Sequence, residues 1–264
     1  MNEVVPILMY HSVDDVCSAS YRPWAVCYAT FNAQMKILER NGFRPITLSS
    51  LMSMRLAGKS LPPRTVVITF DDGLRDFLTG AMPILERYGF PATLFVVSGR
   101  VGETSTWLEP LGEGNRPMLN RNELRNISSQ GIEIGGHSHT HPQLDLLSPD
   151  QAFAEIVTSK TVLEEQIGKQ ITTFAYPYGY ASKLTRDLVA KAGFAAACGV
   201  RHAFSAVGEN KFSLSRIMIT ADVSEEDFER FLGGVGLPVA PATDRLATAG
   251  WRMVRRVMRI AESW

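Results

Sequence analysis

Cysteine is scarce, charge of neither sign is in excess, and no apolar run approaches the length of a bilayer span. Cys17, Cys27 and Cys198 show no Cys-x-x-Cys spacing and leave an odd thiol over, so a disulfide framework is excluded and ordinary reduced thiols are expected. Basic and acidic residues number 27 each, for a formal net charge of zero, and nothing in that balance points to a nucleic-acid partner or a strongly acidic substrate. Without a long apolar run there is no candidate membrane-spanning helix. The opening MNEVVPILMYHSV has an acidic residue where a secretion signal would be basic, and its apolar stretch stops without a small-residue cleavage site. It is therefore expected to be a buried strand, and the protein to be cytoplasmic.

The chain does have 264 residues, 45% of them hydrophobic, ample for one large domain or for a domain with a tail. Short runs rich in Val, Ile, Thr and Phe alternate with helical patterns, the signal of βα units around a parallel sheet. Strands are expected at 4–10, 44–47, 66–70, 92–97, 132–135, 172–175, 194–198 and 214–219. Thr30 is expected to cap a helix carrying Phe31, Met35 and Leu38 and stopping at Gly42, and Asn120 one that ends near Gly131. Ser148 and Pro149 should open a longer helix whose apolar face is Phe153, Ile156, Val157, Leu163 and Ile167. The expected fold is a (β/α) barrel, distorted or incomplete, of about seven to eight parallel strands, with its chemistry at the strands' C-terminal ends.

In domain terms, residues 1–232 form the barrel, the Gly/Pro-rich 233–243 a linker, and 244–264 a basic amphipathic helix. In that helix Trp251, Val254, Val257, Met258, Ala261 and Trp264 recur at helical spacing, with Arg252, Arg255, Arg256 and Arg259 between them. Such a helix either lies on an anionic membrane surface, which would make the protein peripheral at the inner face, or docks on the barrel with its arginines in solvent. Residues 99–119 form a long loop over the barrel mouth, and Trp107 within it is either a packing anchor or a platform for a sugar.

Two places carry chemistry. Asp71 and Asp72 end the 66–70 strand, and adjacent carboxylates there need a cation or a shared proton, although a lone DDG is more often a solvated turn. After the 132–135 strand, His137-x-x-x-His141 lets two imidazoles converge on one ion. In one barrel, two His and one Asp make a set of three ligands that leaves positions for water and substrate. Zinc is the first expectation for a single divalent ion, and cobalt or nickel also suit the donors.

TFDDG (69–73), HSHTH (137–141) and FAYPYG (174–179), in that order, resemble the first three motifs of the polysaccharide deacetylase family, carbohydrate esterase family four. The likeness runs from about Val5 to about Phe231. ILMYHSV and FNAQMKILERNGFRPITL are similar to one branch of it, the circularly permuted deacetylases related to poly-N-acetylglucosamine deacetylases. The resemblance implies metal-dependent removal of an acetyl group from an N-acetylated saccharide. It implies Asp71 as general base, Asp72 as metal ligand with His137 and His141, and His139 on a free position, outside the ligand set. Pro177 and Tyr178 match the third motif, where the Tyr178 backbone N–H helps bind the oxyanion and the ring walls the acetyl pocket; Tyr176 is expected beside them at the substrate. The Arg that many members place before the third motif is missing. Arg216 either replaces it in space or faces solvent or a helix. The C-terminal Leu-x-His motif is missing as well, and His11 is expected to serve as general acid in its place. The motifs specify the reaction more than the molecule, so a small non-sugar amide or a catalytically idle carbohydrate-binding protein remain alternatives.

Overall fold

The computed structural model describes residues 4–240. The helix expected over 244–264, with its proposed membrane contact, lies outside the described residues.

Seven parallel strands close into a ring: β1 (Ile7–Tyr10), β2 (Thr65–Phe70), β3 (Thr93–Val96), β4 (Glu133–Gly136), β5 (Thr173–Ala175), β6 (Ala196–His202) and β7 (Leu214–Met218). Each pairs with the next in the chain, and β7 closes on β1 through Ile217 opposite Leu8 and Met218 opposite Met9. The strand expected at 44–47 is observed as Arg44–Ile46, paired to the N-terminal half of β2 outside the ring. The strand expected at 4–10 is divided at Pro6. Val4–Val5 pairs antiparallel with Ser205–Ala206, and Ile7–Tyr10 joins the barrel.

The described α-helices are α1 (Tyr28–Arg40), α2 (Leu48–Leu56), α3 (Met82–Tyr88), α4 (Arg121–Ser129), α5 (Pro149–Ile167), α6 (Lys183–Lys191) and α7 (Glu225–Leu232). Asn120 and Ser148 each form a capping box, with Glu123 and Gln151 as partners, as their residue types favour. Thr30, by contrast, is not a cap. Cys27 holds the extended cap conformation and its carbonyl accepts from Phe31 N at 2.9 Å, while the Thr30 hydroxyl meets the Cys27 thiol at 3.0 Å, one turn inside the helix. The buried stripe of α5 is Ala152, Ile156, Ser159, Leu163 and Ile167; Phe153 and Val157, expected on it, are only half-buried at its edge. Within the stripe, small Ser159 falls where the helix packs close against β4: a side chain at Gly136 would stand 3.1 Å from its hydroxyl.

Inside the ring, Ile7, Val67, Phe95, Ala175, Ala196, Cys198 and Leu214 form one buried layer, and Leu48, Leu51 and Met52 of α2 close it from below. Burial pushes the Cys198 thiol up to about 12, which leaves it an inert packing group. The second core, between strands and outer helices, holds Leu8, Tyr10, Phe31, Phe70, Ile156, Phe174 and Phe228 among others. Apolar packing thus fixes the strands from both sides and leaves their C-terminal ends free to present polar groups. Pro238 and Ala240 exchange backbone hydrogen bonds with Phe204, at 3.0 and 2.9 Å, so the Gly/Pro-rich stretch returns to the barrel wall there.

Candidate active site

The first motif turns over the end of β2. Asp71 N donates to Tyr10 O at 3.0 Å, which ties the turn to β1, and Gly73 N closes on Asp71 O at 3.0 Å. Asp72 and Gly73 both take positive φ, 76° and 82°, and a side chain at Gly73 would meet Val96 at 3.1 Å. The second motif leaves β4 with His137 N on Val96 O. Ser138 and His141 then stand at φ 61° and 67°, with Ser138 Oγ accepting from His141 N at 3.0 Å. Tyr178 in the third loop is left-handed too, at φ 59°. Four of the five described non-glycine residues with positive φ therefore lie in the three motif loops, a concentration of backbone strain of about 1–3 kcal/mol each that the barrel must over-determine.

These turns bring Asp72, His137 and His141 together, with one potential ligand atom from each within 4.8 Å of the others, all buried. Asp72 Oδ1 lies 3.5 Å from His137 Nε2 and 3.4 Å from His141 Nε2. Atoms held about 2.0–2.1 Å from a tetrahedral ion stand about 3.3–3.4 Å apart, so these separations are those of ligands around one cation. His137 Nδ1 lies 2.9 Å from Ala175 O; a carbonyl only accepts, so that nitrogen carries a proton, which leaves Nε2 as the ring atom available to an ion shared with Asp72 and His141. The residues present fit a divalent ion. Burial alone would raise the Asp72 carboxyl, but the two imidazoles reverse this and hold it far below the ordinary carboxylate range.

Asp71 sits outside this group and has its own partner. Arg216 is fully buried and grips the carboxylate with both arms, NH1 to Oδ1 at 2.6 Å and NH2 to Oδ2 at 2.7 Å, while its Nε donates to Gly199 O at 3.0 Å. The solvent-facing alternative for Arg216 is thereby excluded. Burial would raise Asp71; the Arg216 guanidinium outweighs it and lowers the carboxyl below its ordinary value, so Asp71 is ionised in neutral solution.

Around the pair lies a cavity of about 450 Å³ into which His11, Asp71, Asp72, His137, His141 and Tyr178 open. Burial lowers the His11 imidazole, partly offset by the Asp72 and Asp71 carboxylates. Trp107 is at the site: its ring stacks on His141 at 4.7 Å and 27°, and the Tyr178 ring stands 4.9 Å from the same imidazole. A second cleft, of about 540 Å³, lies by Val4, Phe43, Arg64 and Glu229 and touches none of the motif residues.

Tyr176 is a correction. It is fully buried, packs on Phe174 at 5.3 Å and donates its hydroxyl to Phe212 O, so its side chain belongs to the core and not to the substrate. Pro177 is buried beneath the Tyr178 turn and does not line the cavity. His139 stays outside the ligand group, with Nδ1 2.9 Å from Ser98 Oγ.

Sequence reasoning missed Glu155 of α5, which accepts from His139 N, Thr140 N and Thr140 Oγ1 at 2.7–2.9 Å and pins the histidine loop. It also missed Tyr21 and Trp24, the latter 5.1 Å from the His11 ring, because that segment has neither periodicity nor motif. Gly179 shows how tightly the third loop is held: at φ 74°, a Cβ there would stand 2.3 Å from Val200. Gly179→Ala is expected to cost at least about 2 kcal/mol, from clash and left-handed strain together, and a lowered Tm would register it.

A family profile described as polysaccharide deacetylase matches residues 58–197. A Bacillus subtilis (strain 168) protein provisionally named as a polysaccharide deacetylase is 27% identical over 228 residues, 86% of this chain and 76% of its own. The poly-beta-1,6-N-acetyl-D-glucosamine N-deacetylase of Staphylococcus aureus (strain MRSA252) is 27% identical over 225 residues, 82% of this chain and 75% of the relative. Among solved structures, a Streptococcus pyogenes deacetylase in complex with acetate superposes with a TM-score of 0.77 at 24% identity, covering 89% of this chain and 100% of the other. At that identity the likeness speaks for the fold.

Proposed function

The chain belongs to the polysaccharide deacetylase family, and from that premise we propose that it hydrolyses the N-acetyl group of an amino sugar in a glycan or glycan precursor, releasing acetate. The observation that carries this reading is the juxtaposition of two differently equipped carboxylates: Asp72 facing two imidazoles at ligand spacing, and Asp71 clasped by Arg216.

Asp72, His137 and His141 would hold one divalent cation, zinc first by donor type. When bound, such an ion supplies polarisation of an amide carbonyl and acidification of nearby water. Asp71, kept ionised by Arg216, takes a proton from the attacking water. The Tyr178 backbone N–H donates to the carbonyl oxygen as negative charge grows there. His11, which burial holds toward the neutral form, must first take up a proton, and it then delivers that proton to the nitrogen as the C–N bond breaks, leaving acetate and a free amine. The rings of Trp107 and Tyr178, flanking His141, wall the space for the acetyl group and the sugar.

The reading is tested by metal analysis together with acetate release from N-acetylglucosamine oligomers, peptidoglycan fragments, sugar nucleotides and a small non-sugar acetamide. Bound metal with release from at least one saccharide is the expected result; release from the non-sugar amide alone would replace the substrate, and metal without any release would leave a binding protein. His137→Ala is expected to lower bound metal severalfold or more and turnover with it, since one of three ligands is lost. Full metal occupancy in that variant would remove His137 from the ligand set.

A further inference from the structure

Three tyrosines are fully buried, and they differ in one respect. Tyr10 donates its hydroxyl to Gln34 at 2.9 Å and Tyr176 to Phe212 O at 2.9 Å. Tyr21, 1% exposed, has a buried hydroxyl without a hydrogen-bond partner among the described residues. Tyr21 lines the active-site cavity, whereas Tyr10 and Tyr176 do not. A buried hydroxyl left unpaired costs about 1–3 kcal/mol, so native structures rarely keep one without a use for it.

The ring sits on an ordered turn against an anchored cation. Its backbone is fixed by Tyr21 N on Ser18 O and by Trp24 N on Tyr21 O, at 3.2 and 2.9 Å. Its face lies 5.3 Å from the Arg116 guanidinium, which is itself anchored to Asp14, Asp76 and Glu113 at 2.7–3.1 Å. The indole N–H of Trp107, on the same cavity, is likewise buried and unpartnered. Two unpaired donors on residues that line one cavity match a ligand's acceptors. Burial keeps the Tyr21 phenol protonated, hence a donor, far into the alkaline range. The described lining carries the Asp71 and Asp72 carboxylates and no Lys or Arg, a balance that favours a neutral acceptor over an anionic one.

We infer that the Tyr21 hydroxyl is a specificity-determining contact for the glycan, donating to a neutral hydroxyl or ring oxygen of the N-acetylated saccharide, with the Trp107 N–H beside it. This rests on the deacetylase reading for the identity of the ligand. The binding energy of that contact is pre-organised, because Arg116 has already ordered the ring.

Tyr21→Phe removes one oxygen and nothing else. Acetate-release kinetics should show kcat/KM lower by about three- to tenfold, chiefly through KM, with the Tm unchanged or raised, because the free protein loses only an unpaired group. The same substitution in an Asp71→Asn background should weaken binding of an N-acetylglucosamine oligomer by a similar factor in calorimetry, an arm that reads without turnover. Unchanged kcat/KM and unchanged affinity would overturn the inference and leave the deacetylase reading intact. A Tm lowered by several degrees alongside the activity would also overturn it, by making the hydroxyl structural. Saccharide binding that weakens in Tyr21→Phe, in a protein that releases no acetate, would instead sink the hydrolytic reading alone; an oligomer that neither binds nor reacts sinks both.

Discussion

Asp71→Asn should reduce acetate release by about a thousandfold while the metal content stays at the wild-type level. General-base removal costs about 10²–10⁴ in rate, and among the described residues lining the cavity the one other carboxylate, Asp72, is committed to the two imidazoles. Metal retention follows from the division of labour: Asp71 lies outside the group formed by Asp72, His137 and His141. Asparagine keeps the shape but places an amide donor against one arm of Arg216, and it leaves a fully buried guanidinium without its counter-charge. The variant should therefore also lose several kcal/mol of stability, and kinetics belong at a temperature well below its lowered Tm. Measuring kcat, bound metal and Tm on one preparation separates the outcomes. Wild-type turnover would end the assignment of Asp71, and loss of metal would move it into the ligand set.

What could be read from the chain follows the range of each interaction. TFDDG and HSHTH are local: a strand end, a turn and side chains a few residues apart, so their meeting at the barrel mouth follows once the βα alternation is recognised. Arg216 is the opposite case. Its partner Asp71 is 145 residues away, and only ring closure of β7 on β1 and β2 brings them together, so the sequence could state both alternatives and choose neither. Tyr176 misled because motif membership says nothing about which alternate side chain of a strand end points inward. Thr30 misled because a hydroxyl one turn inside a helix has the composition of a cap; what decided the start was the extended backbone at Cys27. Glu155, Tyr21 and Arg116 act through tertiary contacts on segments of ordinary composition, and a single sequence has no signal for them.

For Arg216→Met, unfolding measurements near neutral pH should give a loss of about 3–5 kcal/mol, because a buried carboxylate is stranded without its charge partner. Its pH dependence distinguishes this cause from lost packing. In the wild type the Arg216 guanidinium lowers Asp71 below its ordinary carboxylate value, so the stability it contributes is complete above the unfolded value and disappears only as pH falls through the folded one. Once Arg216 is gone, burial has no guanidinium to oppose it and the folded pKa rises above the unfolded value. The folded state then binds the extra proton as pH falls, and the deficit shrinks toward acid. The variant should thus be less handicapped at pH 5 than at pH 8, whereas a packing defect would cost the same at both. The acid limb of kcat/KM should move toward alkaline pH for the same reason, since the base is now protonated over part of the working range. Asp71→Asn/Arg216→Met, with neither charge to bury, should regain part of the lost stability and none of the activity. A single-variant deficit independent of pH, or no recovery in the double variant, would mean that Arg216 serves the barrel through its bulk and its bond to Gly199, not by holding Asp71 in its ionised form.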